Sequence, residues 1–239
     1  MPADDPGSPL QLPPVDPTTV TMPADAVTPE LLASLLADGD DELAAWALTS
    51  ALAGAQRVDV YDGLLAGAMH LVGERWSTGQ WSVAEEHLAS QTLVRALDRI
   101  RPDLGPEGRV GPLAILAGVA GEHHMIGLVC LDHLLREHGW TVANLGADVP
   151  TPDLARFAAR NDARLVALTA SDPARTPATT EAIAAVRAAV SRPVAILLGG
   201  RLSSEAGIAD AVGADWIGAS LRGAIEAADA ILGSDAAST

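Results

Sequence analysis

Five short apolar runs, each followed by a segment with helical spacing, constrain the fold of the second half of this chain most strongly. The runs cover residues 112–118, 141–145, 165–169, 194–198 and 215–217. Such runs are typical of strands buried on both faces, and their alternation with helices favours a parallel sheet. We therefore predict an α/β, Rossmann-like (flavodoxin-like) domain of five strands over residues 110–233. Ligands of such a domain bind beyond the carboxyl ends of its strands.

Residues 28–103 have apolar side chains at helical rather than strand spacing. Breaks at Gly39, at 55–58 and at 77–79 divide this segment into four helices, and the short connections between them favour a bundle. The proline- and glycine-rich residues after Arg101 mark a domain boundary. Residues 1–27, rich in proline and aspartate, predict a flexible leader, and residues 234–239 a tail.

Charge and composition exclude several functions. The net charge of −16 argues against direct binding to nucleic acid, which requires Lys and Arg to neutralise phosphates. All 15 basic residues are arginine, so lysine Schiff bases and a lysine-bearing phosphate loop are excluded. The lone Cys130 cannot form an internal disulfide and is expected to pack as a small hydrophobe. Without a signal sequence or a run of about 20 apolar residues, the chain is expected to be cytoplasmic and not bound to a membrane.

The loop expected after the first strand carries the most informative cluster of polar residues. Glu122 stands two residues before His124, so its carboxylate can fix the tautomer of the imidazole, as carboxylates do for metal-bound histidines. Gly127 leaves the backbone open to close approach. By contrast, His133 and His138 fall on the following helix and are expected to be surface groups.

The order Glu-x-His-x-x-Gly resembles the Asp-x-His-x-x-Gly motif of proteins that bind cobalamin (vitamin B12) base-off. The resemblance implies that His124 is the lower ligand of cobalt, in place of the cofactor's own base. It also implies that the neighbouring side chains contact the corrin. The predicted binding residues of this loop are Glu122, His123, His124, Met125, Ile126 and Gly127. Glu in place of Asp is the one departure, and it retains the carboxylate.

Two later segments resemble the same family at the ends of the third and fourth runs. Thr169 and Ser171 correspond to its hydroxyl-bearing segment, and Gly199, Gly200 and Arg201 correspond to its glycine pair and the residue after it. A displaced nucleotide tail needs a wall free of side chains, which glycine supplies, and a small hydroxyl on the other side. The resemblance covers essentially all of residues 110–233.

The helical segment carries a second resemblance. Trp76 precedes Glu86 by ten residues, His87 follows directly, and Val83 stands between Trp76 and Glu86, as in the CarH-type photoreceptors that bind adenosylcobalamin. The resemblance implies that tryptophan, valine and glutamate contact the adenosyl group. An indole can provide an apolar lid and a carboxylate can accept from adenosine hydroxyls. Ser77 stands where these photoreceptors carry a histidine, which puts a two-histidine light state in doubt.

Together these features predict a cobalamin-dependent light sensor rather than an enzyme. A DNA-binding domain, which CarH-type regulators carry ahead of the bundle, is not expected here. Biliverdin as a second chromophore, as in the related photocobilins, is left open, and so is a homo-oligomer or a protein partner that receives the signal. The alternatives are a corrinoid carrier of a methyltransferase system and the small subunit of an adenosylcobalamin mutase. A carrier needs an open upper face, and a mutase needs a separate subunit to hold substrate.

Overall fold

The computed structural model describes residues 23–102 and 111–236. The predicted leader up to residue 22, the linker 103–110 and the last three residues of the predicted tail lie outside the described part, so the domain limits stay predictions. In the described part, no helix has both the length and the apolar character needed to cross a membrane.

The first half folds into the predicted helical bundle. Its helices are α1 (Pro29–Ala37), α2 (Asp41–Leu52), the short α3 (Arg57–Asp59), α4 (Ala66–Ser77) and α5 (Val83–Arg99). A π-helical turn, Val60–Leu65, joins α3 to α4, so that these two form one continuous helix and the count of four is confirmed. Side chains cap the starts: Thr28 for α1, Asp40 for α2 and a Ser82–Glu85 capping box for α5.

The second half is the predicted five-stranded parallel sheet. Its strands are β1 (Leu113–Gly118), β2 (Thr141–Asn144), β3 (Leu165–Thr169), β4 (Ala195–Gly199) and β5 (Trp216–Ile217), in the order β2-β1-β3-β4-β5. The helices between and after them are α6 (Ile126–Glu137), α7 (Thr151–Arg160), α8 (Thr176–Ala189), α9 (Ile208–Val212) and α10 (Leu221–Ala236). The chain order reverses between β1 and β3, where the carboxyl ends leave a crevice.

Side chains alternate between the two faces of the sheet and build two apolar cores. On one face, residues such as Leu116 and Leu197 join α6, α10 and the helical bundle in one cluster. On the other face, residues such as Ile115 and Leu198 pack against α7, α8 and α9. The bundle therefore covers the face of the sheet that carries α6 and α10.

Because α6 lies between the sheet and the bundle, His133 is buried, with 1% of its surface exposed, and the expectation of a surface group was wrong. Its Nδ1 lies 2.7 Å from the hydroxyl of Tyr61 in the π-helical turn. Arg57 donates to the same hydroxyl and to Glu137 of α6. His138, at the end of α6, is partly exposed and pairs with Asp229 of α10.

Burial and, to a lesser extent, the nearby guanidinium groups of Arg57, Arg101 and Arg136 together lower the pKa of His133 to about 3. His133 is therefore neutral in the folded protein over the ordinary pH range. In the unfolded chain a histidine binds a proton below about pH 6.5. Stability supplied by the neutral His133 is thus complete above that pH and is lost as the pH falls from about 6.5 towards 3.

We expect wild-type protein to lose roughly 2 kcal/mol more stability between pH 7 and pH 5 than His133→Gln, because the unfolded chain gains a proton that the folded protein does not bind. Urea unfolding at the two pH values measures the difference. His138→Gln, which alters an exposed histidine at the end of the same helix, is the control and should behave as wild type. Equal pH dependence of wild type and His133→Gln would contradict the burial of a neutral imidazole.

Candidate cofactor-binding site

Glu122 organises the loop that follows β1. Its side chain is 3% exposed, and one oxygen accepts from the backbone N–H of His124 at 2.8 Å and lies 2.6 Å from Nδ1 of the same residue. The other oxygen accepts from the backbone N–H of Ser171, which follows β3. Burial by itself would raise the pKa of Glu122, but the hydrogen bonds from His124 and Ser171 outweigh it and lower the pKa. The carboxylate is therefore charged and ties two strand ends together.

The imidazole of His124 is fixed at one nitrogen and open at the other. A carboxylate only accepts hydrogen bonds, so Nδ1 carries a hydrogen, and in the neutral form of the ring the free lone pair is on Nε2. The side chain is 74% exposed beyond the loop. Gly127, close by, has open space around the position that a Cβ would take. A neutral imidazole with a carboxylate on its far nitrogen is a good single ligand for a metal.

Two neighbouring loops hold this one in place. Asp148, after β2, accepts from the backbone N–H of Gly121 at 2.6 Å, and its own N–H donates to the carbonyl of Glu122 at 2.8 Å. Gly121 has a φ of +79°, and the guanidinium of Arg175 occupies the place where its Cβ would be. Arg175 was not predicted, because no local sequence pattern links it to Gly121.

Small residues line the carboxyl end of the sheet on the face that carries α6 and α10. Because side chains alternate along a strand, the residues that lie two positions beyond core residues of β1, β3, β4 and β5 share this face. They are Gly118, Thr169, Gly199 and Gly218. Three of these four positions have no side chain. At Gly199 the place of a Cβ has no neighbour closer than 3.8 Å, whereas that of Gly118 meets the backbone of the loops after β1 and β2 and that of Gly218 meets the indole of Trp216. The open backbone of Gly199 beside the hydroxyl of Thr169 fits the nucleotide tail of the cofactor that the sequence predicts.

Gly200, which follows β4 beside these small residues, has a conformation and surroundings that only glycine fits. Its φ is +84°, and a Cβ would overlap the carbonyl oxygen of Ala170 and lie 2.8 Å from Oγ1 of Thr169. Ser171 is buried at the end of β3, and Arg201 is exposed after Gly200. Of the other predicted residues, His123 is exposed, whereas Met125 and Ile126 are partly buried where α6 begins.

The predicted residues of the helical bundle gather at one corner, around the connection from α4 to α5. Trp76, in the last turn of α4, is 50% exposed, and Val83, the first residue of α5, is 54% exposed. Glu86 accepts from the hydroxyl of Ser90 at 2.8 Å and lies 3.5 Å from Nε2 of the exposed His87. Large apolar side chains exposed together indicate a binding surface.

Comparisons with known proteins agree with this geometry. Residues 112–230 match a family model described as a B12 binding domain, and residues 30–101 match a second model with the same description. The two matches lie on the sheet domain and on the helical bundle.

Two curated relatives come from Myxococcus xanthus. The HTH-type transcriptional repressor CarA is 39% identical over 98 residues, which is 41% of this chain and 32% of CarA. The HTH-type transcriptional repressor CarH is 38% identical over 109 residues, 46% of this chain and 36% of CarH. The chain thus spans about a third of the length of these relatives.

Methylamine corrinoid proteins match over a larger share of their length. Dimethylamine corrinoid protein 1 of Methanosarcina acetivorans is 26% identical over 155 residues, 63% of this chain and 72% of that protein. The structure of the monomethylamine corrinoid protein of Methanosarcina barkeri superposes with a TM-score of 0.70 at 18% identity, covering 84% of this chain and 96% of the other. At this identity the superposition shows a shared fold.

We expect Gly200→Ala to destabilise the protein by more than about 1 kcal/mol, because the left-handed φ and the overlap with Ala170 both oppose a Cβ. Gly127→Ala is the matched control. Since Gly127 is helical and its Cβ would meet open space, that change should be neutral or stabilising. Urea unfolding of both variants measures the effect. Equal stability of the two would contradict the tight packing at Gly200.

Proposed function

Since this chain is a cobalamin-binding protein, we propose that it is a light sensor that binds adenosylcobalamin in the base-off, histidine-on form. The observation that carries the light-sensor proposal is the exposed corner of Trp76, Val83 and Glu86, which offers an apolar surface beside a carboxylate. The partial similarity to CarA and CarH supports it.

His124 and the small residues at the end of the sheet would hold the lower side of the cofactor. Nε2 of His124 is the proposed cobalt ligand, and Glu122 keeps the ring oriented and makes that nitrogen more basic. The displaced nucleotide tail would lie against Gly118, Thr169, Gly199 and Gly218. We refer to this set of four residues as the tail slot. Glu122 also accepts from the backbone N–H of Ser171 beside the tail slot. The orientation of the His124 ring and the position of this side of the slot would therefore depend on one carboxylate.

Trp76, Val83 and Glu86 would hold the upper side. The indole and the valine would cover the apolar faces of the adenosyl group, while Glu86 would accept from its hydroxyls or amino group. When bound, adenosylcobalamin supplies a cobalt–carbon bond that light breaks. Trp76 would then lose its contacts, and the connection between α4 and α5 would be free to move. A change in packing of the helical bundle is the proposed signal.

Two side chains, Ser77 and Cys130, bear on the state after illumination and on a second chromophore. The hydroxyl of Ser77 donates to the carbonyl of Glu74 at 2.9 Å, within its own helix. We therefore propose no second histidine ligand after illumination. Cys130 is 1% exposed, so a biliverdin, if bound, would not be attached to it. The proposed location is the cytoplasm, and the proposed output is a protein partner or a change of oligomeric state.

A corrinoid carrier is the second candidate, because the methylamine corrinoid relative matches over 72% of its length. A carrier would present the upper face of the cofactor to a methyltransferase and would favour methylcobalamin. Trp76 and Val83 would then contact that enzyme rather than an adenosyl group. The two functions therefore assign the same exposed corner to different ligands.

His124→Ala should change the visible spectrum of bound hydroxocobalamin from the histidine-on to the base-off form, because it removes the proposed cobalt ligand. Acidification of wild type should produce a similar change, since protons compete with cobalt for the imidazole. His138→Ala is the matched control, because that imidazole lies at the end of α6, where it pairs with Asp229 and makes no contact with Glu122. A spectrum of His124→Ala identical to wild type would refute the ligand assignment.

Trp76→Ala and Glu86→Ala should each weaken adenosylcobalamin binding by about 10-fold or more, equivalent to about 1.4 kcal/mol, and change methylcobalamin binding far less. The reason is that only the adenosyl group reaches both side chains. Equilibrium titration measures the two affinities. Phe157→Ala, which truncates an exposed aromatic residue on α7, is the control. Equal losses for both cofactors would argue against an adenosyl pocket and favour the carrier.

Green light should change both the absorption spectrum and the hydrodynamic size of the adenosylcobalamin-bound protein, because breaking the upper contacts frees the bundle. Trp76→Ala should retain the spectral change and reduce the change in size. Absorption and size-exclusion chromatography, each before and after illumination, provide the measurements. If the spectrum of wild type does not change in green light, the sensor proposal fails; if only the size stays constant, a change of oligomeric state is not the output.

A further inference from the structure

The π-helical turn Val60–Leu65 faces both helices that flank the tail slot. Such turns are rare and concentrate at functional positions, where they redirect consecutive side chains. Here Tyr61 is buried and reaches His133 of α6, whereas the next residue, Asp62, reaches the start of α10. One irregular turn of the bundle therefore contacts two separate helices of the sheet domain.

Asp62 caps α10 from the other domain. One carboxylate oxygen accepts from the backbone N–H of Leu221 at 2.9 Å, and the other accepts from that of Arg222 at 3.1 Å. The side chain of Ser220 serves the third amide, that of Gly223. The first amides of a helix have no partners within it, and a carboxylate stabilises this positive end. Asp59 adds an ion pair with the guanidinium of Arg222.

The capped end of α10 borders the tail slot. Gly218 donates to the carbonyl of Leu198 in β4, and its own carbonyl oxygen lies 3.8 Å from the place of a Cβ on Gly199. The indole of Trp216 packs against Gly218 and Gly223, filling the space between β5 and the first turn of α10. The position of this wall of the slot is thus set by β5 on one side and by Asp62 on the other.

We infer that Asp62 is a positioning residue for the nucleotide tail: it holds the first turn of α10 in place and so links the tail slot to the helical bundle. The inference rests on the base-off mode of binding proposed above. Because coupling between two sites is reciprocal, a tail in the slot would also favour the bundle position in which Asp62 caps α10. Asp62 thus connects the lower part of the cofactor with the domain that would cover its upper face.

The test compares two corrinoids, hydroxocobalamin and hydroxocobinamide, of which the second lacks the nucleotide tail. Titration of the full chain should show that Asp62→Ala weakens hydroxocobalamin binding by 10-fold or more and hydroxocobinamide binding by less than about 3-fold, a difference of more than about 0.7 kcal/mol. Asp62→Asn, whose carbonyl oxygen can still accept from an amide, should restore most of the loss. A general weakening of the fold would not produce this dependence on the tail.

Asp40→Ala is the matched control, because it also removes a helix cap, that of α2, but away from the sheet domain. It should leave the ratio of the two affinities unchanged. Hydrogen exchange of the cofactor-free protein provides a second measurement. The amides of residues 218–224 should exchange faster in Asp62→Ala and not in Asp40→Ala. If Asp62→Ala does not fold, Asp62→Ser, which retains one acceptor, should show an intermediate ratio.

The following outcomes would overturn the inference. Equal losses for both corrinoids would mean that Asp62 acts on the fold as a whole, and no loss for either would mean that the slot does not depend on it. If wild type itself binds the two corrinoids equally, no tail contributes, and the base-off proposal falls together with this inference. If wild type discriminates and Asp62→Ala keeps the same ratio, only the role of Asp62 is refuted.

Discussion

The carboxylate of Glu122 is the interaction on which the site depends. It is buried, charged and satisfied by the backbone of His124, the ring of His124 and the backbone of Ser171. A buried charge without hydrogen-bond partners is energetically costly, so these donors stabilise the carboxylate of Glu122. The carboxylate in turn fixes the positions of the donors. The same contact orients the ring and joins the ends of β1 and β3. One side chain thus serves both the ring and the junction of the two strand ends.

The sequence predicted those parts of the fold and of the site that depend on local pattern. Strand runs, helix breaks and the five parallel strands are confirmed, since each follows from the spacing of apolar residues over a short stretch. The pairing of Glu122 with His124 is confirmed as a contact, because two residues in one loop can meet without knowledge of the fold. The roles of both in cofactor binding remain predictions. Gly200 was predicted as part of a wall for the nucleotide tail, whereas the structure shows a different need for glycine there, a left-handed φ and no room for a Cβ beside Ala170.

Contacts between distant segments could not be predicted. Nothing in the pattern of α6 shows that its outer face is covered by the bundle, and so His133 was assigned to the surface although it is buried against Tyr61. The contact of Arg175 with Gly121 and the cap that Asp62 forms on α10 were not predicted for the same reason, because each joins residues from different loops or domains. The π-helical turn has no clear sequence signal, because its residues fit an ordinary helix equally well. Such features depend on tertiary packing, which a single sequence does not specify locally.

The shared core restricts how a signal can leave the cofactor. One apolar cluster runs without interruption from α1, α2 and α5 through α6 to the sheet, so the bundle is not a separate body joined by a hinge. Packed cores resist continuous deformation and change instead between discrete arrangements. Movement is therefore easiest where packing is least dense, at the exposed corner around Trp76, and where polar contacts can exchange partners, at the π-helical turn. The continuous helix formed by α3, this turn and α4 contains both places, with Trp76 near one end and Asp62 near the other. A displacement of Trp76 would thus reach the cap of α10 through a single helix.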